Sequence, residues 1–165
     1  MGASLELPDL PDALRSIRTK PLFVLMLELR AVLTLGATPG AFRRVGQVKG
    51  GVFAGSGLSG EVLTDGNDWQ TVRDDGAITL DVRLMLKAAD GALIAMTYQG
   101  LRHGRAELML QIDAGEPVDP AQYYFRISPR FETASPQYGW LNRILAIGIG
   151  YRIAAGPVYS VFEVL

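Results

Sequence analysis

The stretch Asp81-Val82-Arg83-Leu84-Met85-Leu86-Lys87-Ala88-Ala89-Asp90-Gly91-Ala92-Leu93-Ile94-Ala95-Met96-Thr97-Tyr98-Gln99 decides the fold. A three-residue loop with Gly91 in the left-handed conformation pairs Ala88 with Ala92. Leu86 then stands opposite Ile94, Leu84 opposite Met96 and Val82 opposite Tyr98, so one face of the hairpin is apolar throughout. The same register sets Asp81 beside Gln99, Arg83 beside Thr97 and Met85 beside Ala95. A slip of one residue would mix the two sets, so burial of one face fixes the pairing.

Outward from this hairpin the chain alternates short β-rich runs with glycine punctuation. Its 19 glycines in 165 residues exceed the usual share of roughly 7%, and many turns follow from that. The pattern predicts strands over residues 22–35, 42–49, 51–63, 69–73, 77–87, 92–100, 106–112, 122–127, 141–151 and 158–164. A helix fits only Pro11 to Ile17, with Asp9 or Asp12 as its cap. Small residues alternate at Ala146, Gly148 and Gly150 against Leu145, Ile147, Ile149 and Tyr151, which suits a tightly curved sheet or a close backbone approach. About eight or more antiparallel strands with few unprotected edges point to an all-β domain, a closed or nearly closed barrel. Residues 1–20 are read as an N-terminal extension and 21–165 as the barrel domain.

Composition bounds the function. With 48% hydrophobic and 20% charged residues the chain can fill a core. It has no cysteine, which removes disulfides, thiolate zinc sites and cysteine nucleophiles. Sixteen basic and 17 acidic side chains give a net charge of −1, too balanced for a nucleic-acid footprint. Residues 1–20 carry acids and prolines where a secretory signal needs a basic start and an apolar stretch, and position 6 is Glu6 rather than the hydroxyl residue of a myristoylation signal. The longest apolar run, Leu22 to Leu27, is far short of the roughly 20 residues that cross a bilayer. The expectation is a cytoplasmic protein without membrane or nucleic-acid partners.

Gly55-Ser56-Gly57-Leu58-Ser59-Gly60 spells the dinucleotide fingerprint GxGxxG, with Asp81 at the distance of a ribose ligand. That motif requires a helix starting at the glycines. Glu61-Val62-Leu63 instead runs straight into the turn Thr64-Asp65-Gly66, so the glycines are read as a strand bend and no cofactor is expected. The single histidine, His103, excludes any metal site needing two imidazoles, and no metal is expected. Flanked by Arg102, Gly104 and Arg105, it reads as a loop residue whose imidazole is also usable as a proton carrier. Arg43, Arg44 and Lys49 read as a solvated basic face.

Two regions are denser in chemistry than turns require. In Asp65-Gly66-Asn67-Asp68-Trp69-Gln70, Asp68 offers a base at a barrel mouth and Trp69 an apolar wall with one donor. Asp81 and Arg83 share a strand face: outside they make a surface pair of little value, inside they must be paired or hydrogen-bonded. In Tyr123-Tyr124-Phe125-Arg126, Tyr124 and Arg126 share a side, and the loop bearing Trp140 and Asn142 can present both to a ligand.

These blocks, taken with Gly50-Gly51, Asp75-Gly76, Phe131-Glu132-Thr133 and Trp140-Leu141-Asn142-Arg143, resemble domain-of-unknown-function family 3237, also called uncharacterised protein family 0311, over about residues 21 to 165. The family commonly has Gly-Gly-Asp-Trp or Gly-Ala-Asp-Trp where this chain reads Gly66-Asn67-Asp68-Trp69. The resemblance implies a lipocalin-like or allene-oxide-cyclase-like antiparallel barrel and a family with no assigned general activity. Two functions are then weighed. One is a cofactor-independent isomerase, cyclase or dehydratase acting on a small, oxygenated, largely apolar or aromatic molecule. Its catalytic residues would be Asp68, Asp81 and Arg83, and its ligand contacts Trp69, Tyr98, His103, Tyr124, Arg126, Trp140 and Asn142. The other is a non-catalytic carrier using the same cavity. A homo-oligomer is expected in either case, and a purely structural oligomeric barrel is the third reading.

Overall fold

A computed structural model describes residues 6–165; residues 1–5 of the expected N-terminal extension lie outside the described residues. Ten strands form one antiparallel sheet: β1 (Thr19–Leu29), β2 (Leu33–Ala37), β3 (Phe42–Gly55), β4 (Leu58–Val62), β5 (Asn67–Val72), β6 (Ile78–Ala88), β7 (Leu93–His103), β8 (Tyr124–Glu132), β9 (Ala146–Ile153) and β10 (Gly156–Val164). The circuit β1-β10-β9-β8-β7-β6 continues through β4 and β5 to β3, which pairs back onto β1. The sheet therefore closes into an eight-strand antiparallel barrel.

The β6–β7 hairpin has the register read from the sequence: Leu86↔Ile94, Leu84↔Met96, Val82↔Tyr98 and Asp81↔Gln99. Ala88 N–H donates to the Ala92 carbonyl, and Gly91 sits at φ +90°. Burial alternates along β6, with Leu80, Val82, Leu84 and Leu86 inside and Asp81, Arg83 and Met85 outside.

Several boundaries differ from the sequence reading. The run 22–35 is two strands, because the chain breaks at Arg30 to Val32, and β1 starts earlier, at Thr19. β3 runs unbroken through Gly50 and Gly51. A Cβ at Gly51 would lie 2.2 Å from the Met26 carbonyl oxygen, so this glycine serves a close strand approach and not a turn. The turn comes instead at Ser56-Gly57, with Gly57 at φ +78°, and the GxGxxG stretch is a β3–β4 hairpin with no helix after it. The N-terminal helix is replaced by two short 3-10 turns, Leu7–Asp9 and Asp12–Leu14, that bury no side chain. Residues 141–143 belong to a 3-10 turn, Gly139–Arg143, so β9 begins only at Ala146.

The correction with the largest consequence is residues 106–112. They form not a strand but the helix α1 (Ala106–Asp113). Ala, Glu, Leu, Met and Gln are strong helix formers, and the buried positions Leu108, Met109 and Ile112 follow a helical spacing rather than alternation. These three side chains join the barrel core.

The inner face divides into two regions. Around Val48, Val62, Leu84, Leu86, Ile94, Met96 and Phe131 it is apolar, with Phe23 packed edge-on against both Phe53 and Phe131. Nearer α1 it carries the molecule's buried polar side chains. Room inside depends on glycine: a Cβ on Gly150 would meet the Phe125 ring at 2.4 Å, and one on Gly148 the Ile127 side chain at 2.6 Å.

Candidate functional site

β5 supplies the polar interior by simple alternation. Asp68 and Gln70 point inward while Trp69 points out. Asp68 pairs in register with Gly46 of β3 and Val82 of β6, and Gln70 with Arg44 and Leu80. Asp68 is 7% exposed. Its Oδ2 accepts from Gln70 Nε2 at 2.6 Å, and Gln70 Oε1 accepts from Arg44 Nε at 2.6 Å. Among the described residues Asp68 Oδ1 has no partner.

Arg44 continues the chain of contacts. Its Nη1 and Nη2 donate to Asp113 Oδ2 and Oδ1 at 3.0 and 3.2 Å, a bidentate fork onto the last residue of α1. Arg102, on β7 and 5% exposed, donates from Nη2 to Asp113 Oδ1 at 3.0 Å. Its guanidinium carbon lies 5.7 Å from the centre of the Phe125 ring, and its Nε has no partner. Phe125 in turn stands edge-on to Tyr159, and Tyr159 to Tyr98, at 5.3 and 5.5 Å between ring centres. The Tyr98 hydroxyl donates to that of Tyr159 at 3.3 Å.

Burial sets the proton chemistry. Desolvation raises the Asp68 carboxyl from 3.8 to about 6, against the opposing pull of the Gln70 hydrogen bond and the charges of Arg102 and Arg44. Both Tyr98 and Tyr159 are pushed up by burial and stay protonated. Burial also works against the Arg102 charge, which Asp113 favours. The result is a carboxyl group poised near neutrality, two neutral phenols and two guanidiniums on one inner surface.

Of the ten side chains singled out from the sequence, the barrel interior holds Asp68 and Tyr98. Asp81 and Arg83 are on the outer face, along an open groove of about 430 Å³ with Thr97, Gln99, Ser128 and Arg130. Trp69 is 47% exposed and neighbours Asp81 across the strands, outside. His103 stacks on Tyr124 with 4.9 Å between ring centres, and the Arg126 guanidinium carbon also lies 4.9 Å from the centre of the Tyr124 ring. Trp140 is part-exposed on its 3-10 turn. Asn142 pins a loop: its Oδ1 accepts from Thr133 N–H and its Nδ2 donates to the Thr133 carbonyl, both at 2.9 Å.

The members of this cluster absent from the sequence reading are Gln70, Arg44, Arg102 and Tyr159, with Asp113 at its exposed edge. Gln70 was detectable, standing two residues from Asp68 on the same strand face. Arg44 read as solvated with Arg43 and Lys49, and Arg102 as part of an exposed loop; both lie on strands and turn inward. Asp113 was hidden by the misassigned α1.

A family model described as "Protein of unknown function (DUF3237)" matches residues 17–164. A UPF0311 protein of Rhodopseudomonas palustris (strain TIE-1) is 37% identical over 150 residues, spanning 91% of this chain and 98% of the relative. A crystal structure of a conserved protein of unknown function from Rhodopseudomonas palustris superposes with a TM-score of 0.85 at 37% identity, over 91% of this chain and 98% of that one. A β-barrel-like protein from Acinetobacter baumannii AYE gives a TM-score of 0.79 at 39% identity, over 91% and 97%. The chain belongs to the DUF3237 family. Among the described residues no helix is long and apolar enough to cross a membrane.

Proposed function

We propose that this DUF3237 barrel is a cofactor-independent acid–base enzyme of the isomerase, cyclase or dehydratase kind, working at the inner surface around Asp68 on a small oxygenated, largely apolar compound. The observation that carries the reading is Asp68 Oδ1, a buried carboxylate oxygen with no partner among the described residues, on a group titrating near 6. A buried polar atom left unsatisfied costs about 1–3 kcal/mol, and an orphan on an acid–base group with a displaced pKa is a mark of functional sites.

In this scheme the Asp68 carboxylate takes a proton from carbon next to a substrate carbonyl and returns it at another position or to a leaving hydroxyl. Of the two phenol protons one is used within the Tyr98–Tyr159 pair, and the other can be donated to the carbonyl oxygen as it gains charge. Arg102 adds a fixed positive charge nearby. Gln70 is a positioning residue, holding Oδ2 so that Oδ1 is presented. Asp81 and Arg83 take no part in it, being on the outer face.

The test is NMR-detected exchange of protons next to the carbonyl in a panel of small cyclic ketones in D₂O. Asp68→Asn is expected to slow exchange by about 10²- to 10⁴-fold while ligand-induced shifts in melting temperature persist. Equal rates in parent and variant would remove the enzyme reading and leave the carrier, for which the same unpartnered atoms serve orientation alone.

A self-association reading is supported by the outer apolar surface. Ile147 and Ile149 of β9 are exposed with Leu145 just before them, as are Val24 and Met26 of β1 and Val52 of β3. Strand pairing makes this one face, since Ile149, Ser160, Val24 and Ala54 are successive neighbours. Sedimentation should find a dimer or larger species, and Ile149→Lys should return it to a monomer.

A further inference from the structure

We propose that the substrate of this site bears a carboxylate, which takes the place of the Asp113 carboxylate on the fork formed by Arg44 and Arg102. The proposal rests on the reading of Asp68 as the acid–base group and adds to it the substrate's chemical class.

The fork is built into the barrel wall, and its occupant is not. Arg44 comes from β3 and Arg102 from β7, both within the closed sheet, whereas Asp113 ends the eight-residue α1 laid against it. Three guanidinium nitrogens hold that one carboxylate at 3.0 to 3.2 Å. The Arg44 and Arg102 side chains are 16% and 6% exposed, while that of Asp113 is 36% exposed. The cations are thus fixed and largely desolvated, and the anion is at the open side. Planar bidentate recognition is what arginine does best with a carboxylate, whoever supplies it.

Asp113 does not use every polar atom of the cluster. Arg102 Nε, on a side chain about nineteen-twentieths buried, has no partner among the described residues. Asp68 Oδ1 is the other unpartnered atom of the cluster. The fork connects to Asp68 through Gln70 alone, by the two 2.6 Å hydrogen bonds of its amide. A carboxylate in the place of Asp113 enters from the open side that α1 covers, one glutamine amide away from Asp68. Leu108, Met109 and Ile112 keep α1 in the core, so the exchange moves the Asp113 side chain alone, at the helix end two residues before Gly115 at φ +80°.

The experiment uses benzoate as the carboxylate probe and benzamide as its neutral isostere, with binding read by calorimetry on the full chain. Asp113→Asn removes the internal competitor and leaves the two cations under-compensated, so benzoate should bind about tenfold more tightly than to the parent, with benzamide unchanged. The double variant D113N/R102Q should lose that gain. Unchanged or weaker benzoate binding to the Asp113→Asn protein, or a gain that survives R102Q, overturns the proposal. Should Asp113→Asn fail to fold, the parent serves: saturating benzoate should speed amide hydrogen exchange in the last turn of α1 about tenfold over benzamide, and unaltered exchange there overturns it. Binding is read without turnover, so this result can fail while Asp68→Asn still abolishes proton exchange, and the two readings stand or fall separately.

Discussion

Gln70 Nε2 donates to Asp68 Oδ2 at 2.6 Å, between two buried side chains two residues apart on the same face of β5. The amide cannot rotate to serve Asp68 otherwise, because its oxygen is held by Arg44. One strand thus carries both the acid–base group and the residue that aims it.

The first prediction concerns pH. The Asp68 carboxyl rises from 3.8 to about 6 on folding, so between those values the folded chain binds more protons than the unfolded one. Its ionisation works against folding as pH rises through this window, and the penalty is fully present above about 6. Roughly two pKa units correspond to about 3 kcal/mol. Urea unfolding of the parent and of Asp68→Asn across pH 4 to 7 should show the parent losing about that much relative to the variant. Parallel stability profiles would contradict the assignment.

Gln70→Leu removes an acceptor from Arg44 and a donor from Asp68 at a buried position. A loss of about 1–3 kcal/mol is expected. Since the Gln70 hydrogen bond holds the Asp68 pKa down, NMR titration should also find the carboxyl moved higher. A loss of stability with an unmoved titration would mean that Gln70 acts only through Arg44.

Gly150→Ala should destabilise by about 1–3 kcal/mol. Its Cβ would enter the Phe125 ring, the nearest atom being 2.4 Å away, and β9 is tied there to β10 through the Gly150↔Tyr159 pair. The accompanying readout is near-ultraviolet dichroism, which should change as Phe125 and Tyr159 repack; a neutral substitution would show that the strand can shift.

Asn142→Ala should cost about 1–2 kcal/mol through the two hydrogen bonds it makes to the Thr133 backbone. Because the side chain acts on the loop, ligand affinity at the inner surface should be unaffected. Thermal unfolding and calorimetry on the same preparation separate the two effects.

Two physical levels explain what was legible beforehand. Alternation along β6 and β7 with Gly91 at the turn is a local signal, and it specified the hairpin register because a slip would bury Asp81 and Arg83. Residues 106–112 were misread because a short amphipathic run of Leu, Met and Ile fits strand and helix alike until its partner surface exists. The same gap hid Asp113.

The sequence by itself determined an all-β chain, its central hairpin and the outward or inward parity of each strand relative to its neighbours, all of which follow from the two-residue repeat of a pleated backbone. Tertiary structure alone decided which parity faces the lumen: closure of β3 onto β1 turned Asp68 and Tyr98 inside and Asp81 and Arg83 out. It also brought Arg44, Arg102 and Asp113 together from positions up to 69 residues apart. No local rule encodes that meeting, because it depends on how far a twisted sheet must coil before its first and last strands can share hydrogen bonds.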